Sequence, residues 1–305
     1  MSTNHRPYRD QEDLTRIGRL LRRAHVRVPG CNAWSFARFD IWAQRKIGDE
    51  QVHGKQDWQQ GLRLWETQTG RLAGAVLFAN EHSAALLCDP ERPRIAEAMI
   101  AWAENHYVRN GRAAKPLTIE ATESNPTLEQ LLKSRGYAQP TEHYVRREKS
   151  LADSGAETLT LPDGFYVKSI ETLAELVSFH KAVEAVFSFR DSVEVYRVLQ
   201  QAPSYVPDLD LILLSPEGQT ASFCTGWLDR KNNMAEFEPV GTVPAFRKRG
   251  LGTALLAEAS NRLRARGCRT ATVYSWSEST AANRLYAGAG LEGMDKLYAW
   301  QWQGN

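Results

Sequence analysis

Apolar positions along this chain follow two periods, and one succession of them occurs twice. Each half opens with a short strand and an amphipathic helix, RPYRDQEDLTRIGRLLRRA in the first and FYVKSIETLAELVSFHKAV in the second. A hairpin follows in each: LRLWETQTGRLAGAVLFAN matches LDLILLSPEGQTASFCTGWLD, with TQTGR and SPEGQ as turns between the apolar runs. Next comes a helix. Ile95, Ala98, Met99, Trp102 and Ala103 make one stripe, and Leu251, Ala254, Leu255, Ala259 and Leu263 the other. Both have helical spacing and need a sheet to cover them. A strand follows each helix, PLTIEAT and RTATVYSW, then a short helix ending in SRGY or GAGL and a last strand. The pattern predicts two copies of one α/β (α+β) unit, with different spacings.

The stretch EKSLADSGAETLTLPDG, from Glu148 to Gly164, is poor in aromatics and rich in small and polar residues. It reads as a linker with room for one short strand. The expected organisation is therefore a domain at 1–149, a linker at 150–162 and a domain at 163–305. A chain of 305 residues suits two such cores.

Composition narrows the function classes. Apolar content is 42% and charged content 24%, an ordinary globular balance. A net charge of +2 suggests no dedicated nucleic-acid surface. No apolar run approaches the ~20 residues of a membrane helix. MSTNHRPYRDQEDL has no signal-peptide core, so a cytoplasmic location is expected. Cys31, Cys88, Cys224 and Cys268 lie far apart, without metal-ligand spacing, and no metal is expected. The seven histidines stand in no hydrolase or zinc motif.

Chemistry concentrates in AEFEPVGTVPAFRKRGLGTALLAEA, residues 235–259, which reads as strand, loop and helix. The first amides of a helix beginning near Gly250 lack intrahelical partners, and with the helix dipole they attract an anion. Gly250 and Gly252 remove side chains where a pyrophosphate would approach the backbone, and Arg247, Lys248 and Arg249 add positive charge. Downstream, SESTAANRLYAGAGL places Asn283 and Tyr286 one turn apart on a short helix. On the strand before the loop, Glu236 and Glu238 are two apart and share a face if the strand is regular. Pro239 can insert a bulge that re-aims one of them.

Residues 163–303 resemble the GNAT superfamily of acyl-CoA N-acyltransferases. Arg247, Gly250 and Gly252 stand on its [QR]-x-x-G-x-[GA] motif, and Asn283, Tyr286, Gly290 and Leu291 on its second motif. The resemblance implies two GNAT-like domains, each a mixed, mainly antiparallel, splayed sheet flanked by helices. It implies acetyl-CoA as acyl donor, its pantetheine arm lying between the strands that end near Thr242 and Tyr274. Its contacts would run from Val240 to Thr253, taking in Gly241, Thr242, Arg247, Lys248, Arg249, Gly250, Leu251 and Gly252, and would include Asn283. The Val240 amide would face the thioester carbonyl and Tyr286 the departing thiolate.

The acceptor's chemistry selects the base. A primary amine of pKa about 10.4 is protonated at neutral pH, and freeing it at pH 7 costs on the order of 4–5 kcal/mol. Glu238 is the preferred group to take that proton, directly or through water. A small-molecule amine is the expected acceptor and a homodimer is allowed. The alternatives are a non-catalytic acyl-CoA-binding regulatory module and a protein acetyltransferase.

In the first half the matching stretch, HSAALLCDPERPRIAEAMIAWAENHY, has Pro90, Glu91, Pro93 and Ile95 where glycines belong. Glu129 and Leu132 stand at the places of Asn283 and Tyr286. This half is expected to be a degenerate copy without the cofactor motif. Its aromatic stretch at 31–46 would serve either the acceptor pocket or ordinary packing.

Overall fold

The computed structural model describes residues 3–54, 57–111, 115–152, 155–188 and 191–302. The first half runs β1 (Thr3–Pro7), α1 (Gln11–Arg27), α2 (Phe36–His53), β2 (Leu62–Thr67), β3 (Leu72–Asn80), β4 (Ser83–Cys88), α3 (Ile95–Arg109), β5 (Thr118–Thr122), α4 (Pro126–Ser134), β6 (Tyr137–Ala138) and β7 (Tyr144–Ser150). The second runs β8 (Tyr166–Ser169), α5 (Leu173–Phe187), α6 (Val193–Leu199), β9 (Asp210–Leu214), β10 (Thr220–Asp229), β11 (Met234–Thr242), α7 (Leu251–Ala265), β12 (Thr270–Trp276), α8 (Thr280–Gly288) and β13 (Glu292–Trp302). The strand–helix–hairpin–helix order expected of each half is therefore present.

Local chemistry sets several helix ends. Asp10 caps α1 by accepting from the Glu12 amide. Thr172 and Glu175 form a reciprocal capping box on α5. Ser35 caps α2, accepting from the Arg38 amide. The sequence pattern does not announce α2, and its packing explains why. Phe36, Phe39 and Trp42 enter the core of the first half, whereas Ala37 and Ile41 enter a core shared with α5 and α6. A helix apolar on two sides shows no single stripe. Gly48 lets it approach α6 closely: a Cβ there would lie 3.1 Å from Val195 Cγ1.

The two halves do not build separate sheets. Among the described residues the strands form one mainly antiparallel sheet in the order β1-β2-β3-β4-β5-β13-β7-β12-β11-β10-β9-β8, with β6 against β13. Its centre is an exchange. β7, from the first half, lies between β12 and β13. β13, from the second, continues past β7 to pair with β5 from Leu297 opposite Thr122 to Gln301 opposite Thr118. Each half thus lends its last strand to the other. The boundary expected at 149 falls inside β7.

Of the expected linker, residues 153 and 154 lie outside the described residues. Residues 155–162 form no helix or strand, yet they are fastened. Glu157 pairs with Lys149 at 2.7 Å and with Arg264 at 2.8 Å, and its backbone exchanges hydrogen bonds with the Asn261 side chain.

Helices cover both faces. In the first half α1 and α2 pack on one and α3 and α4 on the other; in the second, α5 and α6 oppose α7 and α8. Polar contacts also join the halves: Arg22 to Asp229 at 2.9 Å, and Asp40 accepting from the Ser204 amide at 2.8 Å.

Candidate functional site

The site begins where two parallel strands part. β11 and β12 pair only at Met234–Thr270, Ala235–Ala271 and Glu236–Thr272. Beyond these they diverge, and a cavity of about 440 Å³ opens between them. Glu238, Pro239 and Val240 line it from β11; Tyr274, Ser275 and Trp276 from β12; Tyr286 from α8. The register of β10 against β11 shifts between Cys224–Val240 and Gly226–Phe237, so the bulge allowed for at Pro239 is present. The Glu238–Pro239 peptide is cis.

Glu238 opens into this cavity, and Glu236 does not. Glu236 is buried and accepts from Ser35 Oγ at 2.6 Å. Trp227 pairs with Glu236 across β10–β11 and lines the surroundings of both carboxylates. The Trp227 indole N–H donates to the Glu238 carbonyl. Desolvation raises the pKa of both acids, of Glu236 inside the core and of Glu238 among the walls of the open cavity. For Glu236, burial outweighs the Ser35 hydrogen bond and the Arg38 charge and pushes it up to about 7. For Glu238, Arg45 and Arg38 oppose the rise. Tyr286 is also buried, and its phenol pKa lies above the usual value, first from desolvation and then from Glu238.

Below the cavity, β11 leads through the 3-10 turn Pro244–Phe246 into the basic loop and α7. Lys248 has φ 62° and Gly250 φ 77°, a left-handed pair that turns the chain into the helix. No side chain caps α7, and its first backbone bond runs from the Ala254 amide to Gly250. The amides of Leu251, Gly252 and Thr253 are thus free of helical partners. Arg247, Lys248, Arg249 and Gly250 are all exposed. Arg247 donates to the Thr242 carbonyl, and Arg249 sits 5.7 Å over the Phe246 ring. A Cβ on Gly250 would meet nothing within 4 Å. This open, positive, amide-rich surface fits a pyrophosphate.

Two glycines of the segment have other duties. A Cβ on Gly252 would lie 3.1 Å from Leu285 and 3.2 Å from Thr242 Oγ1, so Gly252 lets α7 close on α8 and β11. One on Gly241 would lie 2.3 Å from the Phe223 ring. Asn283 is likewise engaged within the protein: its Nδ2 donates to the Ser277 carbonyl at 2.8 Å, and its Oδ1 accepts from Arg147 at 3.2 Å. Arg147, on the exchanged strand, also donates to Ser275 Oγ at 2.9 Å.

The rest of the cavity wall comes from elements outside the strand, loop and helix segment in which the chemistry concentrates. Ile41 and Arg45 come from α2, Tyr144 from β7, and Phe179, Val183 and Tyr196 from α5 and α6. The stretch at 31–46 divides: Ile41 and Arg45 reach the cavity while Trp34, Phe36, Phe39 and Trp42 pack in the core. Arg45 grips Asp191 through Nε at 3.0 Å and Nη2 at 3.0 Å.

The first half repeats the parting of strands, with a different outcome. β4 and β5 pair only at Ser83–Thr118 and Ala84–Ile119. The loop between α1 and α2 fills the gap beyond. Asn32 donates to the Cys88 carbonyl at 3.1 Å and accepts from its amide at 2.7 Å. On the other side Thr122 donates to the Gly30 carbonyl at 2.6 Å and Asn125 to that of Cys31 at 2.8 Å.

Among the described residues no group of His, Cys, Asp and Glu could hold a metal ion, and no helix is long and apolar enough to cross a membrane. No curated protein matches the sequence. Residues 176–291 match the model of the acetyltransferase (GNAT) family. Among solved structures, the chain is similar to a GCN5-related N-acetyltransferase from Sphaerobacter thermophilus (TM-score 0.67, 19% identity, covering 98% of this chain and 94% of that one). It is similar to a tandem GNAT protein from the clavulanic acid biosynthesis pathway (TM-score 0.69, 16% identity, 98% of each chain). A GNAT-family acetyltransferase from Colwellia psychrerythraea also shares the fold (TM-score 0.65, 10% identity, 98% of this chain and all of that one). The chain has the fold of a tandem GNAT protein, and residues 176–291 of its C-terminal half match the acetyltransferase (GNAT) family model.

Proposed function

We propose that the protein moves an acetyl group from acetyl-CoA directly to the primary amine of a small molecule. One observation carries this reading: the parted ends of β11 and β12 bring Glu238 and Tyr286 to one cavity, beside the free amides and exposed cations that begin α7. Arg247, Lys248 and Arg249 with the Leu251, Gly252 and Thr253 amides would hold the pyrophosphate. The thioester supplies the activated acyl group. The Glu238 carboxylate takes the proton of the incoming ammonium, and desolvation by the cavity walls raises its pKa toward that of a better base. The Val240 amide is the donor assigned to the oxyanion. Tyr286 stands by the departing thiolate. Its phenol is a weaker acid than a thiol of pKa about 8.5, so it stabilises the thiolate by a hydrogen bond rather than by giving up its proton.

The test is release of free thiol from acetyl-CoA across a panel of amines, with product masses, alongside calorimetric binding of CoA. Thiol release with an acetylated small amine supports the proposal. CoA binding without release on any amine sinks it and leaves a non-catalytic binding module. Acetylated lysines in a lysate, with no small amine consumed, would point to protein acetylation.

A further inference from the structure

We propose that the acceptor is an amine carried on an aromatic, apolar body with no carboxylate of its own. This rests on the amine-acetylation reading above and names the substrate class of the same site. Beyond Glu238 the cavity wall is aromatic, with Phe179, Phe187, Tyr196, Trp227, Tyr144 and Trp276 facing it. The rings are mutually braced: Phe179 meets Tyr196 at 5.2 Å, and Tyr144 meets Trp276 edge-on at 4.8 Å. His180 adds a ring, edge-on to Tyr196 at 5.2 Å.

The charges are fewer. Among the described residues, Arg45, Asp191 and Glu238 are the Arg, Lys, Asp and Glu side chains in the wall. Arg45 and Asp191 cancel each other in their two-pronged pair. Arg38, whose field reaches Glu238, does not line the cavity and is bound to Glu120 at 2.9 Å. Glu238 is therefore the carboxylate left to face a ligand, and a single cation complements it.

Each rival class meets a specific penalty. An amino acid brings a carboxylate toward Glu238, while Arg45, the one cation among the described wall residues, is already paired with Asp191. A sugar amine buries several hydroxyls largely against ring faces, where Ser275, Ser279 and the phenols of Tyr144, Tyr274 and Tyr286 must supply their partners. A polyamine carries further cations with no unpaired carboxylate to meet them. An aralkylamine leaves nothing unmet, and its ring and ammonium both gain from aromatic faces.

The test uses the full chain saturated with CoA, which allows binding without turnover. Calorimetry compares 2-phenylethylamine, phenylalanine, glucosamine and spermidine. We expect 2-phenylethylamine to bind at least about tenfold more tightly than each of the others. Phe187 and Tyr144 are 40% and 42% exposed, so Phe187→Ser and Tyr144→Ala are compatible with folding, and unchanged CoA affinity verifies it. Each should weaken 2-phenylethylamine about five- to tenfold. Tighter binding of any polar amine, or no effect of either variant, overturns the proposal. A second arm adds acetyl-CoA and reads thiol release. Tight binding of 2-phenylethylamine without release leaves the ligand class standing and defeats acetyl transfer. Release with glucosamine or spermidine but not 2-phenylethylamine defeats the class and leaves acetyl transfer standing.

Discussion

Glu236 and Glu238 lie two apart on one strand, yet Glu236 is buried against Ser35 and Glu238 is exposed to the cavity. Glu238 opens into the cavity, so its substitution should be read in kinetics. Glu238→Gln should lower kcat/KM at neutral pH by about 10²-fold. Because desolvation raises its pKa above 4.5, the wild-type advantage should shrink as pH falls through that raised value. A pH-independent ratio of wild type to variant would remove Glu238 from the base role. Glu236 should be read in stability. Its pKa is about 7 in the folded protein against 4.5 ordinarily, so the native state holds a proton that the unfolded chain has lost between those values. Its contribution is full below about 4.5 and is lost as pH rises through 7, on the order of 3 kcal/mol at about 1.36 kcal/mol per pH unit. Glu236→Gln, a permanently neutral mimic, should therefore raise the melting temperature at pH 8 and change it little at pH 5. Equal shifts at both would contradict this. The sequence offered both carboxylates at that spacing; it could not show their different surroundings, because Ser35, which holds Glu236, comes from the other half of the chain.

At the scale of elements, the two halves make the same parting of parallel strands, and a loop decides what each can hold. Asn32 bonds both backbone groups of Cys88 while Gly30 and Cys31 accept from Thr122 and Asn125, so the first gap is sealed by the chain itself. Asn32→Ala should cost about 1–3 kcal/mol by leaving Cys88's buried groups unpaired. It should leave CoA stoichiometry by calorimetry at one per chain. A second CoA bound by the variant would show that the loop alone excludes it. The missing glycines at Pro90–Ile95 were legible in the sequence, and so was the basic loop at Arg247–Gly252. The seal was not legible, since a short stretch such as Gly30–Asn32 carries no period. Nor was α2, whose apolar residues are divided between two cores.

At the scale of the molecule, the exchange of β7 and β13 makes the halves interdependent. Cutting at residue 149 and restarting at 163 would leave β5 without β13, and β12 without β7. Open edges in mid-sheet invite aggregation. Expressed separately, 1–149 and 163–305 should each be insoluble or self-associated by size-exclusion chromatography. Co-expressed, they should recover as one soluble complex. Two well-behaved monomers would contradict this. The sequence displayed both strands but not their partners. Each last strand has the pattern needed to complete either half, and pairing between residues so far apart leaves no local trace. The same exchange places Tyr144 in the cavity wall and Arg147 against Asn283, so the first half reaches the chemistry of the second.

The exchange also orders events during synthesis. β13 is translated after every other described strand, yet its place is beside β5 and β7 in the middle of the sheet. A nascent chain stalled after α8 has all the cavity's lining residues but lacks the strand that joins its halves. Until β13 arrives, β5 and β7 each expose a bare edge, with contact partners more than a hundred residues apart in sequence. Such long-range closure is slow, and the waiting edges are what a chaperone would recognise. Slower translation or cooler growth should therefore raise the soluble yield, and substitutions in β13 should reduce yield more sharply than they reduce the melting temperature of the protein that does fold.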